Sequence, residues 1–202
     1  MKKRFAAIGI ALLMQAGISY GADDTYFGMK AGMFMPNGKS PGLDMFDTGY
    51  AVDLSLGVKP APYAAVELGT GFYTASGDSD ATGVQQDMTA YAVPITLTAK
   101  GIVEFGKLDL FAGAGAGMYF CFIDNEIAAP VSKNESKHGI APGYQAVAGA
   151  DYRINNQWNA GVDFKWFSTR PKLELTDTSN NVTDEKWEFG GTVLSLGVKY
   201  KF

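Results

Sequence analysis

Thr192-Val193-Leu194-Ser195-Leu196-Gly197-Val198-Lys199-Tyr200-Lys201-Phe202 closes the 202-residue sequence. Thr192, Leu194, Leu196, Val198, Tyr200 and Phe202 alternate with Val193, Ser195, Gly197, Lys199 and Lys201. Successive side chains of a strand point to opposite faces, so the stretch predicts a strand with one apolar wall and one mostly polar wall. The strand runs to the last residue and ends on an aromatic ring.

The same alternation recurs in seven segments upstream. Tyr26 to Met35 carries Phe27, Met29, Ala31, Met33 and Met35 on its apolar face, and Tyr50 to Val58 carries Tyr50, Val52, Leu54, Leu56 and Val58. Ala64 to Ser76 carries Val66, Leu68, Thr70 and Phe72, and Met88 to Lys100 carries Tyr91, Val93, Ile95 and Leu97. Leu108 to Ile123, Gly143 to Ile154 and Trp158 to Phe167 follow the same rule. With the terminal strand, from about Phe189, these make eight, and most span the ~9–11 residues that a tilted membrane-crossing strand needs.

The connections alternate as well. Pro36 to Gly49, Gly77 to Asp87, Asp124 to Ala141 and Ser168 to about Glu188 are long and polar. Lys59 to Tyr63, Gly101 to Lys107 and Asn155 to Gln157 are short. Short turns at one end and long loops at the other are the layout of a transmembrane barrel, and an even strand count closes the sheet without an edge. The expectation is an all-β fold: an eight-stranded antiparallel up-and-down transmembrane β-barrel over residues 22–202, with four long loops outside and both termini on the inner side.

The start of the sequence agrees with that placement. Lys2, Lys3 and Arg4 precede a mostly apolar run from Phe5 to Ile18, and Ser19 and Gly21 form a small-x-small site. Residues 1–21 read as a secretory signal peptide, too short in its apolar run to span a bilayer. Seventeen Lys plus Arg, less those three, leave 14 against 21 Asp plus Glu, a formal charge of −7. Such a chain is a poor partner for nucleic acid. Cys121 is the single cysteine, so no internal disulfide forms.

Periodicity alone does not say which wall faces out, because a soluble barrel with an apolar interior alternates in the same way. The membrane version is favoured by an apolar wall without charge along the strand cores and by Gly-rich polar walls that suit a narrow lumen. Aromatic residues at two levels favour it too. Phe27, Tyr152, Trp158, Tyr200 and Phe202 mark one; Tyr50, Phe72, Tyr91, Phe122, Tyr144 and Trp166 mark the other. Two such rings are the interfacial girdles of a membrane barrel.

The inner wall then carries Lys30, Asp53, Glu67, Lys100, Asp109, Asp151, Arg153, Asp163, Lys165, Lys199 and Lys201, six cations and five anions. An eight-stranded lumen is narrow enough for side chains to fill it. Two readings stay open. Paired charges plug the lumen, or Lys30, Asp53, Glu67, Asp109, Asp151, Arg153, Asp163 and Lys165 line a narrow polar path. Tyr26, Phe34, Tyr73, Phe111, Tyr119 and Phe167 also face inward, as lumen filling or as an apolar vestibule for a small hydrophobic solute. Pro94 falls mid-strand, where it removes a ladder hydrogen bond and predicts a bulge or kink.

No motif for a cofactor, a metal or catalysis emerges. Gly113-Ala114-Gly115-Ala116-Gly117 lacks the spacing of a phosphate-binding loop, and its period of two places Gly inside and Ala outside. His138, placed in the third loop, has no identifiable triad partner. Asp78, Asp80 and Asp87 read as solvated loop acids, with divalent cations near lipopolysaccharide as the sharper alternative.

From the leader through the eight segments to Tyr200-Lys201-Phe202, the sequence resembles small eight-stranded outer-membrane proteins of the OmpA, OmpX and OmpW type. That resemblance implies outer-membrane lipid and lipopolysaccharide as surroundings. It also implies periplasmic chaperones and the barrel-assembly machinery as biogenesis partners. Members of the OmpW type are associated with passage of small hydrophobic molecules, others with structural or adhesive roles. Some small barrels modify lipids, for which His138, Ser132 and Ser136 are the only residues to offer. The leading expectation is a non-enzymatic barrel with a structural or surface role.

Overall fold

In the computed structural model, which describes residues 25–37, 46–79, 86–127, 134–176, 182–186 and 188–202, the chain forms ten strands. They are β1 (Thr25–Pro36), β2 (Gly49–Ala61), β3 (Ala64–Ser79), β4 (Gln86–Phe105), β5 (Leu108–Ile127), β6 (Asn134–Arg153), β7 (Trp158–Thr169), β8 (Lys172–Thr176), β9 (Val182–Lys186) and β10 (Phe189–Lys201). Eight of them close a barrel in the order β1-β10-β7-β6-β5-β4-β3-β2, every neighbour antiparallel. The expected leader, residues 1–21, lies outside the described residues.

The terminal strand closes the ring. β10 pairs with β1 from Tyr26↔Lys201 to Pro36↔Gly191, and with β7 from Phe189↔Thr169 to Tyr200↔Trp158. The Phe202 amide donates to the Thr25 carbonyl at 3.1 Å, so both sides of the closing strand are satisfied to its end. A free edge inside lipid would leave backbone groups without partners, which closure prevents.

Three tight turns join strands at one end of the barrel. Gly106 takes a φ of 63° between Phe105 and Leu108, a conformation open to glycine at no steric cost. Asn155 Oδ1 accepts from the amides of Gln157 and Trp158 at 2.9 and 2.8 Å and holds the β6–β7 turn. Pro62 and Tyr63 make the β2–β3 turn.

Four expected connections are corrected in extent, and at Pro94 the ladder is interrupted as expected but without a register-shifting bulge. The short connection expected over Gly101 to Lys107 shrinks to Gly106 and Lys107, because β4 runs on to Phe105. Strand extends into the loops expected over Gly77 to Asp87 and Asp124 to Ala141: Ser79 pairs with Gln86, and Glu126 with Asn134. Past the apolar band a sheet needs no greasy face, so its ladder continues through polar sequence that carries no alternation. The stretch from Ser168 to Glu188 contains the β8–β9 hairpin, which leans on β6. At Pro94 the β3–β4 ladder lapses between Thr70↔Ile95 and Tyr73↔Ala92 without any change of register. Thr70 Oγ1 donates to the Pro94 carbonyl at 2.9 Å and spans the gap. The register shift instead falls in the β2–β3 ladder, between Val58 and Ala61.

The walls sort as alternation requires. Met33, Leu97, Leu196, Val103 and Phe164 are exposed on the outside, while Phe34, Tyr73, Tyr119 and Phe167 are buried within. Aromatic contacts lie at both levels of the outer wall: Trp158–Tyr200 and Tyr200–Phe202 at the short-turn end, Phe72–Tyr91 and Tyr144–Trp166 at the other.

Candidate functional site

The lumen is built in two halves. In the half toward the short turns, Glu67 is the hub: it accepts from Tyr26 Oη at 2.7 Å and Lys100 Nζ at 2.6 Å. Lys199 lies 3.9 Å from Glu67 and 2.5 Å from Asp151. Lys30 pairs with Asp163, and Lys165 lies 2.8 Å from Asp53. At the mouth, Arg153 pairs with Asp109 at 2.5 Å and Glu104 at 3.1 Å, with Lys59 within 4 Å of both acids. The ammoniums of Lys100 and Lys199 lie over the Phe111 ring, 4.5 and 4.6 Å from its centre. Taking charge out of water is costly unless it is paired and hydrogen-bonded, and these contacts supply both.

Several of these pairs cross the lumen rather than follow the wall. Lys30 on β1 reaches over β10 to Asp163 on β7, and Asp53 on β2 meets Lys165 on β7. Glycine makes the space. A Cβ at Gly197 would stand 2.5 Å from Lys30 Cγ, and one at Gly149 the same distance from the Phe111 ring.

The half toward the long connections is aromatic. Phe167 lies 5.3 Å from Tyr73, 5.3 Å from Tyr119, 5.7 Å from Phe34 and 6.2 Å from Phe189, ring centre to ring centre. Ala51, Ala75, Ala90, Ala92, Cys121, Ile123 and Val193 pack around these rings. Two tyrosines join the halves. The Tyr73 hydroxyl donates to Asp53 at 2.8 Å and accepts from Lys165 at 2.9 Å. The Tyr119 hydroxyl donates to Gln145, whose amide donates to Thr98 at 2.6 Å and Thr96 at 3.3 Å. Each tyrosine keeps its ring in the apolar cap and its polar tip in the charged half.

Small cavities lie between these groups. One of about 30 Å³ is lined by Lys30, Asp53, Ser55, Glu67, Asp163 and Lys165 among others, and one of about 20 Å³ by Tyr26, Lys100, Asp109, Asp151, Asn159 and Lys199 among others. Each has room for a water molecule or two.

All eight candidate lining residues lie on the inner wall, and all are in ion pairs: Lys30 with Asp163, Asp53 with Lys165, Glu67 with Lys100, Asp109 with Arg153, and Asp151 with Lys199. Lys59 and Glu104 were absent from the candidates, having been read as turn residues. Both keep the inward parity of their strands, the signal that could have found them. Gln145, Thr96 and Thr98 share that parity and were passed over because they are uncharged. His138 is exposed on β6, opposite Phe122, rather than in a loop. Cys121 is buried in the cap. Asp80 and Ser132 lie outside the described residues. Among the described residues, no group of three or more His, Cys, Asp or Glu could hold a metal ion.

A family model described as outer membrane protein beta-barrel domain matches residues 5–202. Comparison with curated proteins returns no sequence match. Among solved structures, the fold is similar to Neisserial surface protein A (NspA; TM-score 0.57, 12% identity, covering 91% of this chain and all of that one). It is similar to the outer membrane protein OprG from Pseudomonas aeruginosa (TM-score 0.56, 16% identity, 90% and 98% covered). It is also similar to the outer membrane protease OmpT from Escherichia coli (TM-score 0.52, 15% identity, 89% and 79% covered). At these identities the likeness is one of fold.

Proposed function

The chain belongs to the outer membrane protein β-barrel domain family and is a barrel of the outer membrane, and on that premise we propose that it is a non-enzymatic barrel with a structural or surface role, its lumen closed to solutes. The observation that carries this reading is the filling of the lumen. Cross-lumen ion pairs occupy one half, five rings occupy the other, and the cavities left are water-sized. Residues 1–21 are removed on export. The short turns and both termini face the periplasm, and the long connections face outward, where lipopolysaccharide surrounds them. Insertion proceeds through periplasmic chaperones and the barrel-assembly machinery.

A second reading rests on a specific place in the wall. The β3–β4 ladder lapses at Pro94 beside the apolar cap, and a small hydrophobic solute could leave sideways there. Vesicle uptake separates the two. Refolded mature barrel, shown folded by a heat-modifiable gel band, should admit neither a sugar nor a small alkane-like solute faster than empty vesicles. Uptake of the hydrophobic solute alone would replace the closed barrel with the conduit. Hydrolysis or acyl transfer on lipid A in cells overproducing the protein would overturn the non-enzymatic reading.

A further inference from the structure

A cavity larger than the two lumen cavities described above lies outside the lumen. At the long-connection end the β2–β3 ladder stops at Tyr50↔Thr74. The chain stays against β3, with Gly49 too close to the Thr74 carbonyl to admit a Cβ, and pairs again, shifted by one residue, through the Phe46↔Gly77 bridge and the Asp47 amide, which donates to the Ser76 carbonyl at 2.9 Å. Phe46 packs on the aromatic cap and anchors this irregular stretch. Over this stretch lies a groove of about 210 Å³, against about 30 and 20 Å³ for the lumen cavities described above. Asp47, Thr48, Tyr50, Thr74 and Ser76 line it.

The groove opens on the outer wall. Tyr50, 76% exposed, and Thr74 share a cross-strand row with Tyr91, the level of the aromatic rim. An occupant therefore comes from the polar layer of the membrane and not through the lumen. An exposed flat ring, a carboxylate and three hydroxyls make up the side-chain chemistry, and among the described residues no Lys or Arg lines the groove. That set suits a polyhydroxylated ring. The tyrosine covers its C–H face, while Asp47 and the hydroxyls exchange hydrogen bonds with its hydroxyls. A bare phosphate would meet the Asp47 carboxylate, with no cation among the described lining residues to balance it. The volume is below the roughly 300–1,000 Å³ of drug-sized sites, the scale of one sugar ring.

We propose that the β2–β3 rim groove binds one sugar of an outer-leaflet glycolipid, stacked on Tyr50 and hydrogen-bonded by Asp47. The physiological setting rests on the orientation given above, but the groove can be tested without it, in detergent micelles, which have no sides. Refolded mature barrel is titrated with fluorescent rough lipopolysaccharide, with sugar-free phosphatidylglycerol as competitor. Wild type and Tyr50→Phe should bind alike, and Tyr50→Ala should weaken binding about tenfold, a loss of about 1.4 kcal/mol. Asp47→Ala should weaken it several-fold. Tyr144→Ala, at the rim on another wall, should leave it within about twofold. Equal binding by Tyr50→Ala and wild type, or full displacement by phosphatidylglycerol, would overturn the proposal. Surface labelling of whole cells tests the orientation separately.

Discussion

The half of the lumen near the short turns is held by charges that each depend on a named partner, whereas the half near the long connections is held by rings that each touch several others. Glu67 serves Tyr26, Lys100 and Lys199, so losing it strips Lys100 of its carboxylate and leaves Lys199 with Asp151 alone. Phe167 touches four rings, and its neighbours can shift to share a loss. The charged half fixes which strands face each other across the lumen, because its pairs have one good geometry. The aromatic half excludes water without specifying register. Tyr73 and Tyr119 belong to both halves and couple them.

The largest expected break is in the cap. Phe167→Ala should cost about 4 kcal/mol in urea unfolding from vesicles, as large-to-small changes at buried rings do. It should also raise ion leakage, because the ring is central to the apolar seal. Next is the hub. Glu67→Met should cost about 3 kcal/mol by leaving the buried Lys100 ammonium without its carboxylate, and the double change with Lys100→Met should recover most of that loss. A double variant no better than the single would mean that the charged half is not held by pairing. Gln145→Met, at the junction, should cost about 1–2 kcal/mol by stranding the hydroxyls of Tyr119 and Thr98. The smallest effect is outside. Arg170→Ala removes the exposed Arg170–Glu188 pair, 3.1 Å apart, and should change stability by less than about 1 kcal/mol, less still in high salt. A large effect there would make the long-connection end a third stabilising region.

The architecture was legible where one wall meets lipid. β10 could be read from Leu194, Leu196 and Val198 against Ser195, Gly197 and Lys199, because lipid demands an unbroken apolar face. Asn134 to Ala141 could not be read in this way, since a ladder in water asks for no such face. Glu104 and Lys59 were lost because β4 and β2 run further into their turns than the flanking Gly and Pro residues imply. Which charges lie inside follows from parity alone. That Lys30 meets Asp163 does not, because alternation gives the wall and leaves open which residue across the lumen stands opposite. The cap was visible as a set of inward rings in Phe34, Tyr73, Tyr119 and Phe167. Phe189 was missed as a member because it opens the last strand, where the expected boundary was loosest.

The central claim is that these two fillings together close the lumen. Single-channel recording across a planar bilayer, with wild-type barrel shown folded beside the Phe167→Ala variant, tests it most directly. The account predicts a flat trace from wild type and a raised, noisy current from the variant. Discrete openings from the folded wild type would contradict it and make the charged half a pathway.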